Sequence, residues 1–168
     1  ESLQEAMAGE MVLIVLPSAA LEAVVPQMKP PAGSVLISAI KGLESHTLLT
    51  PLQFMRGRLT GNFELCVVSG PSFARDVIAK KPCGVVAGSD REEVARLVAE
   101  TFSNEFMRVY VSTDPLGVEL GGIVKNVIAI AAGISDGIGL GDSARAALIT
   151  RGLAEMVRFA EVMGAERQ

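Results

Sequence analysis

Residues Met11–Leu16 read MVLIVL, six apolar side chains in a row that stop at Pro17. A strand with one covered face alternates polar and apolar residues. An unbroken run needs cover on both faces, as in a parallel sheet flanked by helices. The run therefore predicts a strand buried on both faces, and an α/β architecture with it. Ser34–Ile40 (SVLISAI) and Glu64–Ser69 (ELCVVS) repeat the pattern, and Gly84–Ala87 and Arg108–Ser112 predict two more strands. Between them, Ser18–Met28 spaces Leu21, Val24 and Val25 as a helix does, until Pro30-Pro31 ends it. Arg91–Phe102 carries apolar residues at i, i+3 and i+4, the mark of a surface helix. Strands separated by helices imply right-handed crossovers and an open parallel sheet.

The pattern changes at Asp114. No strand is predicted beyond it. Asp114-Pro115 is an N-cap followed by proline at the first helical position, and a nearly uncharged helix runs from there to about Ile134. Ser143–Met163 predicts another helix. A boundary near residue 113 is therefore expected, with residues 1–113 forming an α/β layer and 114–168 an all-helical region. The apolar stretch near 117–135 contains Glu119, Lys125 and Asn126, so no membrane span is expected there.

Fifteen basic and nineteen acidic residues give a formal charge of -4, without the basic stripe of a nucleic-acid binder. A local basic pocket for a small anion remains open. Cys66 and Cys83 sit in apolar runs and read as reduced core thiols. His46 is the single histidine and lies in a polar segment without a cysteine pair at ligand spacing, so no metal site is expected. The polar, helical-looking start at Glu1 does not predict a signal peptide.

In open parallel sheets, ligands bind outside the carboxyl ends of the strands. Three predicted strands end at Pro17-Ser18, Lys41-Gly42 and Gly70-Pro71-Ser72. Gly70 lets backbone come close to a ligand, Ser72 is expected to begin a helix whose free N–H groups attract anions, and Lys41 adds positive charge. Each is ordinary turn chemistry taken alone; together on one edge they suggest a site. Between Pro115 and Ser135 the only charges are Glu119 and Lys125, six residues apart and therefore on different helix faces. Lys125 shares its face with Gly121, Gly122 and Ala129, so it either reaches for water or does chemistry. Gly137, Gly139 and Gly141 follow a helix, not a strand. They read as a turn between helices instead of a dinucleotide fingerprint.

The segments ISAIKGLE (Ile37–Glu44), VVSGPSFARDV (Val67–Val77) and GVELGGIVKNVIAIAAGISDGIGLGDSARAALITRGLAEM (Gly117–Met156) occur in one order and at fitting separations. In combination they resemble the bacterial NAD(P)-dependent glycerol-3-phosphate dehydrogenases, over essentially the whole chain. The resemblance implies the second half of a Rossmann-type parallel-sheet domain followed by the start of an all-helical substrate domain. It implies hydride transfer between NAD or NADP and a phosphorylated small molecule, sn-glycerol 3-phosphate or dihydroxyacetone phosphate, in the cytoplasm and feeding glycerophospholipid synthesis. A homodimer is compatible with it.

The same resemblance assigns roles. Lys125 matches the family's proton acceptor. Lys41 matches a lysine touching cofactor and substrate, Gly70 and Ser72 match substrate contacts, and Ala74 and Pro17 match cofactor contacts. Asn126 stands beside the catalytic lysine and supports the substrate site. The chemistry agrees, because oxidising a secondary alcohol needs a base, and a poorly solvated lysine releases its proton more readily. The family's glycine-rich fingerprint is expected upstream of Met11, and its Asp and Arg-Asn substrate residues downstream of Gln168. Two alternatives stay open. One is a related 3-hydroxyacid or 6-phosphogluconate-type dehydrogenase, against which SGPSFA followed by GGIVKN argues. The other is an inactive remnant.

Overall fold

The computed structural model describes residues 2–166. Five strands form one sheet in the order β1-β2-β3-β4-β5: β1 (Met11–Ile14), β2 (Ser34–Ser38), β3 (Phe63–Ser69), β4 (Cys83–Gly88) and β5 (Met107–Ser112). The helices are α1 (Leu3–Ala6), α2 (Leu21–Val24, flanked by single 3-10 turns), α3 (Pro51–Arg58), α4 (Ala74–Ile78), α5 (Glu92–Phe102), α6 (Pro115–Gly137) and α7 (Asp142–Val162). This is the α/β architecture expected from the apolar runs, followed by two long helices. Its predicted 18–28 helix is broken into three short pieces around Leu21–Val24.

The register puts alternate side chains on opposite faces. Leu36, Leu65 and Val67 join Leu21, Val25, Phe54 and Met55 in one core, beneath α2 and α3. Val35, Ile37 and Cys66 join Val94, Val98 and Ala99 in a second core, beneath α5. All five residues of β2 are buried, as a central strand with two covered faces requires. The Cys66 thiol is buried, and that burial pushes its pKa up to about 12, which makes it an inert core group.

Two expectations are corrected. β1 is not buried on both faces: Leu13 is 47% exposed. It is an edge strand among the described residues; α5 lies mainly over β3, β4 and β5, and only Met11 of β1 packs against the core beneath it. Nor is the sheet wholly parallel. β1, β2 and β3 run together and β4 pairs parallel with β5, but β4 is antiparallel to β3. The segment joining β3 to β4 is in keeping with this, since it does not carry a helix long enough to cover the sheet. Its only helix, α4, is five residues long and spans about 7 Å. A parallel return needs a crossover of roughly a strand's length, about 20 Å for six residues.

α6 begins as the sequence predicts. The Asp114 side chain accepts the Gly117 N–H at 2.9 Å, and Pro115 takes the first helical position. By length and composition α6 can cross a membrane, yet its first half packs on β3 and β4. α7 runs back antiparallel along it. Arg145 pairs with Asp136 at 3.2 Å, Gly152 closes on Ile128, and the Glu166 N–H reaches Asp114 Oδ2 at 3.0 Å. The later turns of both helices leave Val127, Ile130, Ile134, Ile138 and Leu153 exposed.

Candidate active site

The parallel run of β1, β2 and β3 carries three turns to one edge of the sheet. The turns touch. A Cβ on Gly42 would lie 2.6 Å from Ser18 Oγ, so the exit of β2 sits against the exit of β1. The Lys41 ammonium donates to the Gly70 carbonyl at 3.3 Å, linking β2's exit to β3's. Gly70 itself has φ +154°, and a side chain there would come within 2.7 Å of the Gly84 carbonyl and Val85 Cα. Its lack of a Cβ therefore lets β3's exit close on β4.

Helix α6 brings the second lysine to the same edge. Gly122 lies against the Ser69 side chain, so that a methyl group on it would overlap the Ser69 hydroxyl as that hydroxyl stands. One helical turn further on, Lys125 is half-buried and lines a cleft of about 440 Å³ with Ser69, Gly70, Tyr110, Gly121 and Gly122, floored on its far side by α7. Lys41 and Lys125 are near enough to interact. Lys41 is exposed, and its pKa is lowered first by partial burial of the amine and second by the charge of Lys125. Two cations held together raise the local affinity for an anion.

The remaining expected residues stand as follows. Pro17 is exposed at β1's exit and caps the 3-10 turn that precedes α2. Ala74 is exposed as the first residue of α4. Ser72 is half-buried, but it does not begin a helix, because Phe73 holds the cap position and makes no side-chain cap. Asn126 is exposed and does not line the cleft.

Three residues enter the site's surroundings without having been singled out for it. Ser69 and Asp114 line the cleft. Glu119, buried on α6, accepts the Leu52 N–H at 2.8 Å. Burial pushes the Glu119 carboxyl up to about 7, against the opposing pull of its hydrogen bonds from Thr50 and Leu52 and the charge of Arg56. Its isolation on an apolar helix was the available signal.

Glu22, Glu44 and His46 each bring a ligand atom within 4.8 Å of the others, an arrangement not expected from the sequence. Glu44 is already engaged. Its carboxylate accepts from the Thr47 N–H at 2.7 Å, the Thr47 hydroxyl at 2.6 Å and the His46 N–H at 3.1 Å, and the Thr47 bonds above all hold its pKa down at about 2. It organises the loop that follows Lys41.

Comparison with known proteins bears on this arrangement. The family model described as the NAD-dependent glycerol-3-phosphate dehydrogenase N-terminus matches residues 1–95, and the one described as its C-terminus matches residues 114–168. Proteins named glycerol-3-phosphate dehydrogenase (NAD(P)+) from Geobacter metallireducens and Geobacter sulfurreducens are each 49% identical over 98% of this chain and 51% of their own length. The chain thus spans about half the length of the curated relatives it matches. A crystal structure of glycerol-3-phosphate dehydrogenase from Coxiella burnetii superposes with a TM-score of 0.88 at 38% identity, over 99% of this chain and 51% of that one. A structure of Plasmodium falciparum glycerol-3-phosphate dehydrogenase shares the fold at 21% identity, with a TM-score of 0.86 over 97% of this chain and 46% of its own.

Proposed function

The chain belongs to the NAD-dependent glycerol-3-phosphate dehydrogenase family, and on that premise we propose that it forms the catalytic centre of an enzyme interconverting sn-glycerol 3-phosphate and dihydroxyacetone phosphate. The observation that carries the proposal is the meeting of Lys41 and Lys125 at Gly70, on the carboxyl edge of the parallel β1-β2-β3 run.

When bound, NAD or NADP supplies or takes up the hydride. Pro17, Lys41 and Ala74 would hold it. They lie on the three turns at the carboxyl ends of β1, β2 and β3, and the surfaces of Pro17 and Ala74 are open. Lys125 Nζ takes the hydroxyl proton as the alcohol carbon loses its hydride. In the opposite direction the Lys125 ammonium polarises the ketone and returns the proton to its oxygen. Lys41 supplies positive charge for the substrate phosphate, and Gly70 and Ser72 contribute backbone and hydroxyl contacts beside it. Asn126 supports the helix position next to Lys125. In this scheme residues 1–113 serve the dinucleotide and 114–168 open the substrate domain. We place the enzyme in the cytoplasm, as a homodimer, supplying the glycerol phosphate unit of phospholipids.

The test uses the complete enzyme from the surrounding reading frame. NADH or NADPH oxidation is followed with dihydroxyacetone phosphate, a 3-oxoacid and the 6-phosphogluconate couple as alternative substrates. Turnover is expected with dihydroxyacetone phosphate. Turnover confined to the other substrates would assign the related dehydrogenase activity, and none with any substrate would leave the inactive remnant.

A further inference from the structure

We propose that Glu119 is a positioning residue, which fixes the spacing between Lys41 and Lys125 by joining their two carriers. The inference rests on the reaction proposed above but on different atoms.

The argument begins with the N-terminus of α3, the first helix after the Lys41 loop. A helix leaves its first N–H groups without intrahelical partners. Here each can be accounted for. Pro51 has none. The Gln53 N–H bonds the Thr50 hydroxyl at 3.4 Å, and the Gln53 side chain accepts the Thr50 N–H at 3.1 Å, a capping box. The Leu52 N–H remains, and Leu52 is buried where water does not reach it. Its acceptor is Glu119 Oε1 at 2.8 Å, on a helix 67 residues away in sequence. The Thr50 hydroxyl also hydrogen-bonds this carboxyl. Glu119 therefore completes the cap of α3 from α6.

The consequence for the site is geometric. Thr50 stands at the end of a loop that begins at Lys41, and Glu44 organises that loop through Thr47 and His46. Glu119 stands six residues before Lys125 on one rigid helix. Gly122, between them, is seated on Ser69. The Glu119 carboxyl thus ties the segment bearing Lys41 to the helix bearing Lys125. The two ammonium groups repel each other, so their separation must be imposed by such ties. The charged group facing Glu119 from α3 is Arg56, which is itself paired with Asp90. Lys125 is the other charge on α6 between Pro115 and Ser135.

The test compares Glu119→Ala and Glu119→Gln in the complete enzyme, well below the melting temperature. A reacting group displaced by about 1 Å can cost roughly 100-fold in rate. Glu119→Ala is expected to lower kcat for dihydroxyacetone phosphate reduction about 10- to 100-fold. The calorimetric Kd for NADH should stay within about 2-fold. Glu119→Gln, whose amide oxygen still accepts the Leu52 N–H, is expected to recover most of that loss. If Glu119→Ala does not fold, Thr50→Val, which removes one donor to the carboxyl together with the Gln53 cap, takes its place and should lower kcat in the same sense, while Thr50→Ser, which keeps both bonds, should not. A lowered melting temperature with unchanged kcat in these variants would overturn the proposal, since a merely stabilising residue behaves so. So would a Glu119→Gln variant as slow as Glu119→Ala. A wild-type enzyme inactive on dihydroxyacetone phosphate would instead refute the proposed reaction.

Discussion

Gly122 on α6 and Ser69 on β3 are packed so closely that a methyl group on the glycine would overlap the serine hydroxyl and lie 3.5 Å from its Cβ. The helix carrying Lys125 is therefore seated directly on the strand that leads to Gly70. Gly122→Ala should be mild, because the Ser69 hydroxyl can rotate away. Gly122→Val should not, since its branches meet the Ser69 Cβ and the strand; overpacking of this kind costs about 1–3 kcal/mol. Denaturant melts would measure that loss. Steady-state kinetics on the complete enzyme should show kcat falling further for valine than for alanine.

Lys125→Met should abolish turnover while leaving cofactor affinity largely intact. Removing a positioned proton-transfer group costs about 10²–10⁴-fold in rate. The same variant offers a second readout. Because the charge of Lys125 is one of the two causes that lower the Lys41 pKa, the Lys41 amine should titrate higher in Lys125→Met, though not back to an ordinary lysine, since burial is the larger cause. NMR of labelled lysine side chains would follow it. An unmoved Lys41 titration would mean that the two amines do not share a site.

Lys41→Ala should raise KM for the phosphorylated substrate and weaken the cofactor. Lys41 also bonds the Gly70 carbonyl, so part of the effect should persist in Lys41→Met, which keeps the length without the donor. Unchanged Michaelis constants for both ligands in a folded Lys41→Ala protein would remove it from the site.

Two carboxyls set opposite pH dependences. Glu119 is raised to about 7 in the folded chain from its ordinary 4.5. The folded state then holds a proton that the unfolded state has released, so this contribution to stability is complete below pH 4.5 and is lost as pH rises through 7. If the displacement from 4.5 to about 7 is taken at face value, the loss is on the order of 3 kcal/mol. Glu44 is lowered to about 2, so its contribution is present above 4.5 and is lost as pH falls through 2. Urea melts of the wild type and of Glu119→Gln across pH 4.5–8 should differ in slope, with the variant the flatter. Parallel curves would mean that Glu119 stays ionised throughout.

The 168 residues by themselves should self-associate. Val127, Ile130 and Ile134 form an exposed apolar row on α6, with Ile138 exposed just past its end and Leu153 exposed on α7, and β1 presents an open edge among the described residues with Leu13 exposed. Such surfaces drive association in water. Sedimentation of the wild-type chain and of an Ile130→Glu, Ile134→Lys double variant should show the variant shifted toward monomer.

The central strands were legible because two covered faces demand unbroken apolar runs, a pattern that β1 carries with Leu13 exposed, and α6 because Asp114, Pro115 and the run after them form a complete start signal. The edge bearing Lys41 and Gly70 followed from parallel strand direction. The reversal at β4 did not, because apolar runs carry no direction. α3 passed unnoticed even though Thr50, Pro51 and Gln53 spell its cap. Its low amphipathicity hid it, since Pro51, Leu52, Phe54 and Met55 are all buried around much of its circumference. Glu119 was visible as a lone charge, but its partner is 67 residues away, and no local pattern connects them.

The reversal of β4 against β3 has a consequence for the rim of the cleft. A crossover connection must climb the full height of a sheet, so its length is tied to the sheet's. The 70–82 segment leaves β3 and re-enters β4 at the same edge, with Gly70 already touching Gly84 at its base. It is a tab with both feet on one spot. Doubling the length of such a tab costs only about 0.6 kcal/mol in closure entropy, and no ladder of the sheet has to slip to accommodate it. Ser72 and Ala74 ride on the tab, whereas Lys41 and Lys125 do not. The contour presented to a ligand can thus be lengthened, trimmed or reshaped while the two amines keep their places.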